Sequence, residues 1–479
     1  MLKRFPCLAA VLGGCFLALA GFSGCGTGYE KDATALARDW SRGDYAAAAD
    51  LAGKKSSAAR TTDRLLWQLE WGAATRAAGR LDESVRAFDS ALESISKWDR
   101  TPDASLSGET LAALTNMNAL PYRGTAYDRI MLSTYQALNY LALGRRDKAR
   151  VALNLAQDRQ AEAVQANAAR LERITAAQGA DVERTRRDAG LASALDATYA
   201  ETRRMKAYAD YVNPFSVWLH GVFFLANATG ASDIERAHKS LERAAAMAPN
   251  DAVREDLAMA RKLRSTAAEL SPTTYIIFET GLAPTRREVR MDIPLLFVTG
   301  KVPYVGAAFP KLQFHENHAA ALSVWTLPDR APPVRTQTLA RMDGIVATDF
   351  DNELPEIVTR TLLSTLLKAA ISYGVNEAAD RAVKNKSDGT AVAAWLASRL
   401  ATTVYGVATT NADLRTWHTL PKEFQIARLP TPPSRRLRLV LGNSPAVDIL
   451  LNTGTVGVVY VKSTARDAPP AITQFTLKP

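Results

Sequence analysis

The residues able to do chemistry are few and scattered. Histidine occurs five times, as His220, His238, His315, His318 and His418. The run His315-Glu316-Asn317-His318 could bring two imidazoles together, but zinc needs a third or fourth ligand, and the sequence signals no cysteine or carboxylate to supply it. Incidental loop histidines, with no bound metal, are the expectation. Cys7, Cys15 and Cys25 all lie in the first 25 residues, so thiol nucleophiles are excluded from the rest of the chain. There is no Walker loop, dinucleotide glycine fingerprint or nucleophile elbow, and no cofactor is expected. A serine, histidine and aspartate set could assemble from distant segments, because such triads are defined by geometry rather than order. No motif points to one, so the expectation is a protein that is not an enzyme.

Two clusters mix aromatic anchors with charge: residues 121–128, with Tyr122, Arg123, Tyr127 and Asp128, and residues 413–421, with Arg415 and Trp417. In one reading Arg415 pairs with an aspartate and Trp417 packs beneath a sheet, holding the halves of the chain together. In the other, these six residues bind a partner, since tyrosine, tryptophan and arginine dominate interface hot spots.

The elements that must position them begin with residues 122–156, two amphipathic helices around the turn Gly144-Arg145-Arg146-Asp147. Ile130, Thr134, Ala137, Leu138 and Leu141 share one stripe; Ala149, Ala152, Leu153 and Ala156 share the other. One such pair cannot bury both its faces, so neighbouring pairs are expected. Turns at Gly43 and Gly79 lie 36 residues apart, near the ~34-residue tetratricopeptide (TPR) period, and Gly144 follows 65 residues later. A further copy spans 218–250. Residues 30–255 therefore read as a TPR-like helical repeat domain. A helical hairpin at 157–209 projects from it, with Ala161, Val164, Ala168, Leu171 and Ile174 on one face. From Pro272 the period changes to β-rich runs at 275–278, 289–293, 322–327, 424–429, 436–441, 447–451 and 456–461. Helical patterns interrupt them, one from Asn352 through Ile357, Val358, Leu362, Leu366 and Ile371, another at 392–404. The fold class is α+β and multidomain, with a mixed β-sheet and helix domain at 272–479.

At the N-terminus, Lys3 and Arg4 precede an apolar run at 8–22, the pattern of a signal peptide over 1–24. Residues 22–25, Phe-Ser-Gly-Cys, resemble the bacterial lipobox, which implies acylation of Cys25 and a lipidated tether over 25–29. Gly26 stands where the inner-membrane retention signal has aspartate, so the periplasmic face of the outer membrane is the expected location, before the inner membrane. The net charge of +10 becomes +8 without Lys3 and Arg4. That excess suits anionic neighbours such as phospholipid head groups or acidic envelope polymers, and the lack of a basic, aromatic-interleaved motif excludes nucleic acid.

The segment YRGTAYDRIMLSTYQALNYLALG at 122–144, Val212-Asn213-Pro214-Phe215 before a helix, residues 278–284 and 308–311, and the 413–421 cluster resemble an uncharacterised family of proteobacterial-type lipoproteins. Its members have a TPR-like helical N-terminal half and a mixed α/β C-terminal half. The resemblance implies company with lipoprotein activators of penicillin-binding proteins, hence an accessory role in peptidoglycan synthesis. The sequence thus leads to a membrane-anchored scaffold for a protein partner, with peptidoglycan a further partner. The alternative is an envelope glycan-binding protein or hydrolase with a site between the halves.

Overall fold

The computed structural model describes residues 28–100, 120–177, 180–208, 210–266, 269–296, 304–328, 332–385 and 411–479. Residues 1–27, Cys25 among them, and residues 392–404 lie outside them, as do the side chains of Ile174 and Ile371. The helical half comprises α1 (Gly28–Ser41), α2 (Tyr45–Ala58), α3 (Arg64–Ala77), α4 (Leu81–Arg100), α5 (Ala126–Ala142), α6 (Arg146–Ala177), α7 (Ala180–Arg186), α8 (Ala189–Met205), α9 (Pro214–Ala226), α10 (Ala231–Met247) and α11 (Asp251–Ser265). Among the described residues no helix is long and apolar enough to cross a membrane.

Three of the helical turns are built alike. Gly43, Gly79 and Gly144 have φ of 75°, 77° and 69°, a left-handed conformation that closes a helix cheaply only at glycine. In each, the following amide reaches back to the last turn: Asp44 N to Asp39 O at 3.0 Å, Arg80 N to Thr75 O at 2.8 Å, Arg145 N to Tyr140 O at 2.7 Å. Alanines on the facing stripes, among them Ala48, Ala52, Ala73, Ala74, Ala137 and Ala149, are fully or almost fully buried, which lets the backbones approach closely. Helix α1 starts earlier than expected. Tyr29, placed by the sequence in the tether, is a core residue against Trp67.

The sheet half holds β1 (Thr273–Thr280), β2 (Thr285–Pro294), β3 (Tyr304–Gln313), β4 (Leu322–Leu327), β5 (Val334–Arg335), β6 (Gln337–Arg341), α12 (Met342–Asn385), β7 (Glu423–Pro430), β8 (Arg436–Leu441), β9 (Val447–Leu450), β10 (Val456–Ser463) and β11 (Ala471–Lys478). A five-stranded sheet runs β11-β10-β1-β7-β6, a four-stranded one β5-β4-β8-β9, and β2-β3 form a separate ribbon. The architecture is α+β. Strand β1 is buried along its whole length, as a central strand covered on both faces must be. Its Tyr275 and Ile277 join the helical core, whereas Ile276 and Phe278 join a second core with Leu322, Val324, Leu437 and Leu439 of the four-stranded sheet. The layers are therefore helices, five-stranded sheet, four-stranded sheet. One apolar core runs without a break from Tyr29 through the helices to Leu477.

Two segments differ from expectation. Within 157–209, α8 does not project: Tyr199 is buried against Phe350 of α12, and its hydroxyl donates to Pro310 O at 3.0 Å. Val164 and Leu171, placed on a common stripe, are instead exposed on α6. Strand β3 is not marked by the alternation because Pro310 sits inside it; as a strand paired, among the described residues, only to β2, it tolerates a residue without an amide proton.

Candidate functional site

The segment 411–422 threads between the helices and the five-stranded sheet, and its polar groups organise the seam. Trp417 is 1% exposed, edge-on to Tyr135 at 5.8 Å and to Phe88 at 6.2 Å, with Nε1 donating to Thr419 Oγ1 at 2.7 Å. Arg415 grips Asp413 through Nε and Nη2 at 2.9 and 2.7 Å. Its Nη1 donates to the carbonyls of Thr62 at 3.1 Å and Leu120 at 2.8 Å, tying two interhelical connections to the segment. Glu70 of α3, with no exposed surface, accepts from both sides: Oε1 from Tyr29 OH (3.1 Å) and His418 N (2.6 Å), Oε2 from Thr419 N (3.2 Å) and Thr419 Oγ1 (2.6 Å).

The 121–128 cluster meets the same seam. Thr125 caps α5 in a reciprocal box with Asp128, the arrangement that satisfies orphan helix-start amides. Tyr122 OH donates to Asp128 Oδ2, and Tyr127 OH lies 3.4 Å from Thr416 Oγ1. Burial raises the Asp128 carboxyl to about 6, against the lowering effect of the Tyr122 hydrogen bond. Of the six residues assigned to partner binding, Tyr122, Tyr127, Asp128, Arg415 and Trp417 are thus brought together but buried. They join the halves rather than offer a surface, which corrects that assignment; a partner cannot reach side chains this covered. Only Arg123 is exposed, its carbonyl accepting from Arg129.

Further clusters were not anticipated. Arg286 of β2 lies beside the 121–128 residues, its side chain largely covered over the Phe350 ring and bound to Glu353 at 2.8 Å. Asp349, one helical turn before Glu353, is raised to about 8 by burial and then by Glu353. Among the described residues Asp128 Oδ1, Arg286 Nε, Asp349 Oδ2 and Asn352 Nδ2 have no hydrogen-bond partner. Deeper in the sheet, Glu279 binds Lys462 and receives the hydroxyls of Tyr135 (2.8 Å) and Tyr460. Arg76 stacks 4.6 Å over the Tyr460 ring. Burial pulls the Lys462 ammonium down, opposed by Glu279. A cavity of about 20 Å³ adjoins this cluster, room for a single water. The signal for Glu279 was present: on β1 it shares the parity of Tyr275 and Ile277, a charge on a core-facing row. Glu70 likewise stands between Leu69 and Trp71, a charge within a mostly apolar stretch.

His315 Nε2 lies 3.0 Å from Thr285 Oγ1, and His318 Nδ1 the same distance from Glu316 O. No protein-family model, curated protein or solved structure matches this chain.

Proposed function

We propose that this protein is a lipid-anchored scaffold of the bacterial cell envelope, held by acylated Cys25 to the periplasmic face of the outer membrane and binding a protein partner without turning over a substrate. The observation that carries this reading is the use made of the polar groups. Glu70 and Arg415 are spent on fixing the 411–422 segment to the helices, and Asp128 on capping α5 and holding Tyr122. The product is a rigid platform. Its hairpins read as TPR-like, since the three glycine turns repeat one geometry and stack small residues, and such arrays offer an extended concave surface. The family resemblance adds peptidoglycan synthesis as the process served.

The test has two parts. Cells grown with labelled palmitate should label the parent and not Cys25→Ala; label on the variant, or none on the parent, defeats the anchor. Affinity capture from membranes should then return one protein partner with the parent chain. The second reading, a glycan-binding protein or hydrolase, is favoured by the convergence of Asp128, Asp349 and Glu353 beside Tyr122 and Tyr127. It prevails if purified peptidoglycan is bound and no protein partner is recovered.

A further inference from the structure

We propose that the end of the helical array from which the tether emerges is a docking face for anionic phospholipid head groups, so that the body lies against the membrane rather than hanging below it. This rests on the lipidated Cys25 of the preceding reading. Consecutive helices α1 to α5 alternate in direction, so α1, α3 and α5 begin, and α2 and α4 end, at one end of the array. Three contacts fix that end: Lys55 Nζ to Asp32 Oδ2 at 2.5 Å, Tyr122 N to Thr62 O at 2.8 Å, and Arg129 Nη1 to Asp99 Oδ1 at 2.9 Å.

The tether is too short to hold this end away from a bilayer. Tyr29 is locked into the core by its ring and hydroxyl, and it follows Cys25 by only four residues. Four residues span at most about 14 Å. The face within that reach is basic: Lys31, Lys54, Arg60, Arg64 and Arg100 are exposed there. Its acids are largely engaged, Asp32 with Lys55, Asp63 and Asp413 with Arg415, Asp99 with Arg129 and Arg159, Glu162 with Arg159 and Glu288 with Arg290; Glu30 is half-buried and Glu93 exposed. At the far end Arg80 is held between Asp50 and Glu83, and Arg145 by Asp82. Lysines and arginines near an anionic leaflet each strengthen attachment about fivefold.

The test uses residues 26–479, which include the whole described core, so that the protein's own charge is read without the acyl chains. Sedimentation with vesicles of phosphatidylcholine alone is compared with an equal mixture of phosphatidylcholine and phosphatidylglycerol. Binding to the anionic vesicles only, lost at high salt, is expected. Lys54→Ala with Arg60→Ala should lower partitioning by about 25-fold. Arg42→Ala with Arg86→Ala, exposed at the far end, should leave it unchanged, and circular dichroism confirms that both pairs fold. Equal binding to both vesicles, equal loss from the two pairs, or binding to purified cell wall but not to vesicles overturns the proposal. Palmitate labelling of the full chain is scored separately: failure there removes the anchor, whereas intact labelling without anionic vesicle binding removes this face.

Discussion

Replacing Glu70 should unfasten the seam, and the size of the effect follows from its four donors. In Glu70→Leu the Tyr29 hydroxyl keeps an acceptor, Thr416 O at 2.8 Å, whereas the Thr419 hydroxyl still accepts from Trp417 Nε1 but loses the acceptor of its own proton. The amides of His418 and Thr419 lose theirs as well, and leaving a buried donor unpaired costs about 1–3 kcal/mol. Three of them give a loss of about 3–9 kcal/mol for the leucine variant. Glu70→Gln retains one oxygen and presents an amide to the other side, so it orphans one backbone amide and costs about 1–3 kcal/mol. At roughly 2 °C per kcal/mol, the lower end for large domains, thermal unfolding should fall by about 6–18 °C for leucine and about 2–6 °C for glutamine. Hydrogen exchange of the 411–422 segment should accelerate in the same order, since it reports local opening directly. A leucine variant that melts within about 2 °C of the parent with unchanged exchange, or a glutamine variant as damaged as leucine, would refute the reasoning.

Two further outcomes test the other buried clusters. Asp349 is raised above its ordinary value, so the folded state binds the proton more tightly. That stabilisation is complete below pH ~4 and is lost as pH rises to about 8. The melting temperature should therefore fall between pH 6 and 9 by less in Asp349→Asn, which cannot ionise, than in the parent; parallel profiles would contradict this. Lys462→Met, by stranding Glu279 in the core, should cost about 3–5 kcal/mol in chemical denaturation. Adding Glu279→Leu should recover part of that loss, and a double variant as unstable as the sum of the singles would show that the pair is not coupled.

Much of the local structure was legible because its causes are local. The glycine turns at 43, 79 and 144 need only a left-handed residue between two apolar stripes, and the change of period at Pro272 falls at the first strand. The runs at 322–327 and 436–441 match β4 and β8 residue for residue, since both are rich in Leu, Val and other strand-favouring residues bounded by Pro and Gly. Strands β3 and β11 were missed where proline or polar residues blur that pattern, their places being set by pairing partners instead. Tyr29 was misplaced for a similar reason: nothing adjacent marks it as buried, and its contacts are Trp67, Glu70 and Thr416.

The sequence by itself determined the helical half, the sheet half and the point between them, because three- and four-residue or two-residue periodicity needs only neighbours along the chain. Tertiary structure decided what the conspicuous residues do. Arg415 and Trp417 look the same in sequence whether they face a partner or a core. Only the approach of segments some 350 residues apart, Glu70 to His418 and Thr419, encloses them. A buried donor or charge is stable only where a distant acceptor arrives to meet it.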